Sequence, residues 1–284
     1  MRVLVTNDDG VDAAGIRAIR EALVPAFDSV ITVAPDDNCS GFARKCTFAR
    51  PVSVTRVSGG PHPVYRCDGT PADCVRAGLL GGLAAGADLV VSGINHGANL
   101  ADDVTYSGTV GAGLEAAILG TTAVCLSQQT PTGSLAVNYD EDLAGVGLAY
   151  DFTETAAHGA ALAAAVVAAA PGEPVVLSVN YPAVSPFGST VLTRAGRRDY
   201  PRSDVPEFGA DGDVRKLWLF GEPDEVIPYA DASFGTDISA LRAGHVSVTP
   251  LSFAVELADL SPKFQSFLSR LTDTFPLTPP FRRP

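Results

Sequence analysis

An α/β protein with a mostly parallel sheet is predicted by three features of this chain. The run Val3-Leu4-Val5 is short, apolar and rich in β-branched residues, as in a strand buried on both faces. A helical apolar pattern follows (Ile16, Ile19, Leu23), then a second apolar run, Val30 to Val33, closed by Ala34-Pro35-Asp36. Strand, helix, strand in that order implies a parallel pair joined by a right-handed crossover. The chain has 284 residues, 46% of them apolar, enough for one large α/β domain or two small ones.

The elements follow in order. Residues 2–6 form the first strand, and Gly15 to Leu23 a helix that ends before Pro25. After Val30 to Val33, residues 36–50 are polar and read as a loop, and Pro51 to Arg56 as an edge strand. In Gly69-Thr70-Pro71-Ala72-Asp73, Thr70 is placed to cap a helix that starts at Pro71. Asp88 to Val91 give a strand, Ser92 to Gly108 a polar loop, Thr109 to Leu119 a helix and Thr122 to Leu126 a strand. An alanine-rich helix capped by Thr153 or Thr155 reaches Ala170 and stops at Pro171-Gly172, before a strand over Val175 to Val179. Past Pro182 the chain turns rich in Pro, Gly and charge, with short strand candidates at Thr190–Thr193 and Lys216–Phe220. A two-stranded arm of that kind is not stable alone and usually packs on another subunit. His245 to Thr249 alternate like a strand, and Phe264, Phe267, Leu268 and Leu271 describe a C-terminal helix. The expected organisation is one domain: a catalytic core over 1–182, an arm and returning strand over 183–256, and a helix with its tail over 257–284.

The net charge of −12 disfavours long nucleic acids, since no basic stripe is present to displace counterions. It leaves room for a small phosphorylated substrate, because a cation can bridge acidic protein and anionic ligand. No stretch approaches a membrane span, and the N-terminus enters a strand at once without a signal-peptide pattern. The five cysteines, Cys39, Cys46, Cys67, Cys74 and Cys125, are odd in number and lack the close pairs of a zinc site. Reduced thiols in the cytoplasm are expected.

Asn7-Asp8-Asp9-Gly10 follows the first strand, at the sheet edge where open α/β folds bind ligands. Two adjacent carboxylates repel unless something positive neutralises them, and a hard divalent cation does so with oxygen ligands. The same four residues are also good turn chemistry, and the segment alone does not separate the two readings. Two further loops leave early parallel strands at that edge. One holds Asp36, Asn38 and Ser40-Gly41; the other holds Asn95, His96, Asn99 and Asp102-Asp103. Oxygen donors dominate, which selects Mg²⁺, Mn²⁺ or Ca²⁺ over zinc or copper. Beside them Ser107-Gly108-Thr109 opens a helix, a place for a phosphate or simply an ordinary cap. His96 is the histidine near the cluster, equally readable as a general acid or a satisfied loop residue. No nucleoside-triphosphate loop, dinucleotide fingerprint or nucleophile elbow occurs.

Val3 to Val11, Val33-Ala34-Pro35-Asp36 with Asn38 and Ser40-Gly41, and Gly69 to Val75 together resemble the survival protein E (SurE) family of 5′/3′-nucleotidases. Val91 to Leu100, Asp102 to Ala112, Gly235-Thr236-Asp237 and Val246 to Leu251 continue the resemblance. It implies a Rossmann-like core and one divalent metal ion per subunit, Mg²⁺ or Mn²⁺ with Ca²⁺ conceivable in crystals, at Asp8, Asp9, Ser40 and Asn95. It implies hydrolysis of nucleoside 5′- and 3′-monophosphates, and homodimers or homotetramers built through the C-terminal arm. On this reading Asp8 and Asp9 are catalytic, one of them receiving the proton of the attacking water. Ser107, Gly108 and Thr109 hold phosphate oxygens, and Asn99 helps to orient them. The chain departs from the family at Asp37, usually Arg, and over Phe42 to Cys46, where the family carries serines. Those departures bear on substrate choice. Two alternatives stand beside this reading: a same-fold phosphatase for a modified nucleotide or other phosphomonoester, and a non-catalytic nucleotide- or metal-binding module, against which the intact Asp8, Asp9, Ser40 and Asn95 argue.

Overall fold

The chain runs β1 (Arg2–Thr6), α1 (Ala14–Leu23), β2 (Ser29–Pro35), β3 (Val54–Ser58), β4 (Val64–Cys67), α2 (Pro71–Leu79), β5 (Leu89–His96), α3 (Gly108–Ile118) and β6 (Ala123–Gln128). It continues with α4 (Thr153–Ala169), β7 (Val176–Tyr181), β8 (Thr190–Leu192), β9 (Arg197–Arg198), β10 (Glu207–Asp211), β11 (Val214–Leu217), β12 (Tyr229–Asp231), α5 (Asp237–Arg242) and β13 (Val246–Leu251). A 3₁₀ turn over Ala101–Thr105 lies between β5 and α3. This computed structural model describes residues 1–132, 149–183, 185–200, 205, 207–217, 219 and 228–252. The helix expected around Phe264 to Leu271 lies outside the described residues.

Nine strands form the main sheet in the order β3-β4-β2-β1-β5-β6-β7-β13-β8. From β4 to β7 every neighbouring pair is parallel. β3 joins β4 antiparallel at one edge, and β13 enters antiparallel to β7 at the other. Side chains of β1 alternate across the sheet. Val3 and Val5 pack under α1 and α4 with Ile16, Ile19, Leu23 and Ala163. Leu4 packs on the opposite face with Cys74 and Val75 of α2 and Ala112 and Ala116 of α3. The order runs outward from β1 through β2 on one side and through β5 on the other. The crevice between β1 and β5 is therefore the switch point at which open α/β sheets bind ligands.

Several sequence expectations shift. The edge strand is Val54–Ser58, and β4 was not expected from its mixed Val-Tyr-Arg-Cys run. β5 continues through Ser92 to His96, so the first five residues of the expected polar loop are strand. Thr70 does cap α2, in a reciprocal pair with Asp73. Neither Thr153 nor Thr155 caps α4: the Thr153 N–H donates to Asp151 at 2.9 Å, while the buried Thr155 hydroxyl donates to Gln128 at 2.7 Å. Thr190–Leu192, expected in an excursion from the core, is instead the edge of the main sheet, parallel to β13. The two-stranded excursion is the hairpin β10–β11, with β11 exposed along its length.

Candidate functional site

Asp8 and Asp9 follow β1 directly, and both side chains are buried. The turn is set by Asn7, whose amide donates to the Gly10 carbonyl at 2.9 Å. The Asp8 carboxylate is seated on the first turn of α3: it accepts the Thr109 N–H at 3.0 Å and the Thr109 hydroxyl at 2.5 Å. These bonds and the helix dipole favour the charged form. Burial opposes them and wins, raising the carboxyl above the ordinary carboxylate range. Gly108 permits the approach, since a Cβ there would lie 2.8 Å from both Cβ and Oδ2 of Asp8.

Asp9 faces the end of β5. It accepts the His96 N–H at 3.4 Å and lies 3.9 Å from His96 Nδ1. The imidazole stacks on Tyr150 at 4.8 Å and on Phe152 at 5.2 Å between ring centroids. Burial lowers its pKa to about 4, so at neutral pH it sits beside Asp9 as a neutral ring. Asn95 donates Nδ2–H to the Gly97 carbonyl at 2.9 Å, which leaves Oδ1 as the amide's coordinating end.

The loop after β2 closes over this pair. The Cys39 N–H donates to the Asp8 carbonyl at 2.6 Å, placing the exposed Ser40 next to the Asp8 backbone. The Ser40 N–H is fixed by Asn38 Oδ1 at 2.8 Å. The Ala43 N–H reaches the Tyr106 carbonyl at 3.1 Å, tying the loop to the turn before α3. Burial pushes the Cys39 thiol up to about 11, so it stays protonated and offers no thiolate nucleophile at neutral pH.

The structure thus places Asp8 and Asp9 after β1, Ser40 in the loop after β2 and Asn95 near the end of β5, and it gives other work to several candidates. Ser107 Oγ caps α3 by accepting the Val110 N–H at 3.1 Å. The Thr109 donors expected at phosphate oxygens are both on Asp8. Asp36 pairs with Arg66, and Asn38 serves its own turn. Asp102 accepts the Arg198 N–H at 2.7 Å, while Asp103 binds the buried Arg198 guanidinium at 2.6 Å and the Tyr200 hydroxyl. Asp102 and Asp103 therefore anchor the 3₁₀ turn to the strand β9 region.

Sequence reasoning missed the residues that hold Asn99. Its N–H donates to Asn180 Oδ1 at 2.7 Å, its carbonyl accepts from Asn180 Nδ2 at 3.0 Å, and its own Nδ2 donates to Ser127 Oγ at 2.8 Å. Ser127 and Asn180 are the penultimate residues of the mostly apolar strands β6 and β7. A polar residue closing an apolar parallel strand was the signal available in the sequence. The buried Asp237 was missed as well: it accepts the Ala101 N–H and the Gly196 N–H, both at 2.8 Å.

The chain has counterparts among known proteins. A family model described as survival protein SurE matches residues 3–202. The chain belongs to the SurE family. A Geobacter sulfurreducens protein named 5′-nucleotidase SurE is 39% identical over 253 residues, covering 88% of this chain and 87% of its own. A Marinomonas sp. protein of the same name is 36% identical over 281 residues, covering 98% of this chain and all (100%) of its own. The crystal structure of the SurE protein from Aquifex aeolicus matches this fold with a TM-score of 0.74 at 30% identity, over 96% of this chain and 99% of that one. No helix among the described residues of this SurE family member is long and apolar enough to cross a membrane.

Proposed function

We propose that the chain is a metal-dependent phosphomonoesterase that hydrolyses nucleoside 5′- and 3′-monophosphates to nucleoside and phosphate. The observation that carries this is the pair Asp8 and Asp9, buried together at the switch point with the first turn of α3 aimed at Asp8. The relatives named 5′-nucleotidase SurE support the substrate class.

The residues fit a hard cation. Burial has raised the Asp8 carboxyl against three favourable contacts from Thr109 and Gly108, the condition that an adjacent positive charge reverses. The donor set is two carboxylates, the Ser40 hydroxyl and Asn95 Oδ1, all oxygen, which suits Mg²⁺ or Mn²⁺. Asp8, Asp9, Ser40 and Asn95 would hold the ion. When bound, such an ion polarises the phosphoryl group and acidifies a water.

The remaining work belongs to the chain. Thr109 fixes the orientation of the Asp8 carboxylate, so no reorganisation is needed during reaction. Asp9, beside the end of β5, takes the proton of the attacking water. Asn99 keeps one amide hydrogen beyond that given to Ser127 and directs it to a phosphate oxygen. The turn Ser107-Gly108-Thr109 borders the phosphate with small residues and the positive end of a helix. Catalysis is then mostly positioning and charge stabilisation.

The five thiols are free, in keeping with work in the cytoplasm. The hairpin β10–β11, with β11 exposed, suits assembly into homodimers or homotetramers, since a lone two-stranded ribbon is marginal in water. The test is phosphate release from a panel of 5′- and 3′-mononucleotides with Mg²⁺, with Mn²⁺ and with EDTA. Metal-dependent release that EDTA abolishes is expected. No release from any nucleotide under any metal would overturn the reading in favour of a specialised phosphomonoester or a binding role.

A further inference from the structure

The loop that brings Ser40 to Asp8 also carries an aromatic ring out to solvent. Phe42 stands two residues past Ser40 and is 41% exposed. Its backbone is held on both sides. The Phe42 N–H donates to the Cys39 carbonyl at 3.1 Å, and its own carbonyl accepts the Lys45 N–H at 3.1 Å. Between them the Ala43 N–H is bound to Tyr106, and Gly111 lies so close that a Cβ there would come within 2.6 Å of the Ala43 carbonyl oxygen. Farther along, the Lys45 carbonyl accepts the Thr70 hydroxyl, and Thr47 is bonded to Asp73 through both its N–H and its hydroxyl. Arg44 reaches the buried Glu115 at 3.4 Å. The loop is thus pinned to α2 and α3, and the Phe42 ring is displayed from a rigid support.

A single exposed apolar side chain is ordinary. Here three observations converge. The ring is on the segment that runs from the Asp8 backbone to Tyr106. Tyr106, 44% exposed, carries a second ring, its carbonyl accepts the Ala43 N–H of the same loop, and it directly precedes Ser107. Lys45 Nζ lies 4.6 Å from the Phe42 ring centroid, so a cation borders the aromatic surface. A phosphomonoester with its phosphoryl group at Asp8 and Asp9 must direct the rest of the molecule toward such a rim, because the floor is filled by buried strand residues.

Resting on the nucleotidase reading above, we propose that Phe42 is the stacking surface for the nucleobase and so determines specificity for nucleotides over base-free phosphates. Every base offers a π-face to an aromatic ring, which makes the preference tolerant of base identity. Tyr106 borders the same subsite, and Lys45 adds attraction for the electron-rich edge of a base or for a second phosphate.

The experiment compares the intact protein with Phe42→Ala and Phe42→Trp, using adenosine 5′-monophosphate, cytidine 5′-monophosphate and ribose 5-phosphate as substrates. Adenosine serves as a competing ligand. In Phe42→Ala, KM for both nucleotides is expected to rise roughly tenfold, the size of one base–aromatic stack. kcat should hold, ribose 5-phosphate kinetics should be unchanged, and inhibition by adenosine should weaken by the same factor. Phe42→Trp should restore nucleotide KM. The proposal is overturned if Phe42→Ala leaves nucleotide KM and adenosine inhibition untouched, or impairs ribose 5-phosphate as much as nucleotides. A parent protein that cleaves ribose 5-phosphate as well as nucleotides and ignores adenosine also overturns it, while leaving the phosphomonoesterase intact. A parent that releases phosphate from none of the three overturns the nucleotidase reading itself, and the stacking role with it.

Discussion

At the carboxyl end of β1 the chain buries Asn7, Asp8 and, on the neighbouring β5, Ser92; at the amino ends of β5 and β6 it leaves a cleft of about 340 Å³ bordered by Ala87, Asp88, Thr121, Thr122, Val167 and Pro174. The second region is a hollow, and its polar groups already have work. Asp88 accepts the Arg2 N–H at 2.7 Å, and the Thr122 hydroxyl accepts from Val175 at 3.4 Å. In the first region Asn7 Oδ1 and Ser92 Oγ are buried without a hydrogen-bond partner, and Asp8 carries a carboxyl raised by burial. Unsatisfied buried polar groups are costly, and these two lie beside a raised carboxyl at the edge where open α/β sheets bind ligands. Concavity alone does not mark chemistry here. Convergent polar groups on rigid strand ends do.

Four substitutions sharpen that contrast, the largest effect first. Asp8→Asn should cut turnover by roughly 10²–10³-fold while the circular dichroism spectrum stays that of the parent. An active, folded Asn variant would remove the carboxylate pair from the centre of the account. Gly108→Ala pushes a methyl group to within 2.8 Å of Asp8 Oδ2. A displacement of that kind should cost on the order of 10²-fold in kcat, read against unchanged oligomer size by gel filtration. Thr109→Val keeps the shape of the helix start and removes the hydroxyl held by Asp8. Turnover and metal affinity should each fall roughly tenfold to a hundredfold, measured by titrating Mn²⁺ into the assay. Glu173→Gln, at the amino-edge cleft, should move stability by less than about 0.5 kcal/mol and leave turnover alone. A clear loss of activity in that variant would break the comparison, since it would give the second region a role.

The legible part of the molecule was the part whose partners are close in sequence or whose type is forced by a strand end. Asp8 and Asp9 could be placed because Val3-Leu4-Val5 can only be an interior strand and the carboxylates come straight after it. The cap at Thr70 could be placed because its partner Asp73 is three residues away. Asn180 and Asp237 could not, because the groups they hold, Asn99 and Ala101, are 81 and 136 residues distant. β4 escaped for a different reason. It is buried at Val64 and Cys67 but half-exposed at Tyr65 and Arg66, so it lacks the continuous apolar run of the central strands. Asp102 and Asp103 had the composition of ligands, and only their pairing with Arg198 shows them to be anchors. Composition names the chemistry a side chain is able to do; the fold decides which neighbour uses it.

The placement of β13 carries a consequence for how the protein is made. Val246–Leu251 is the last described strand, yet it lies between β7 and β8 and pairs Ser247 with Asn180. A ribosome that has already released Asp8, Asn95 and Thr109 has therefore not released the neighbour that shields β7, nor Asp237, which steadies the turn at Ala101. During that interval β7 is an open sheet edge, the kind of surface that recruits strands from other chains. Chains cut short before residue 246 should thus be captured by chaperones or aggregate, although every residue assigned to the chemistry has been synthesised.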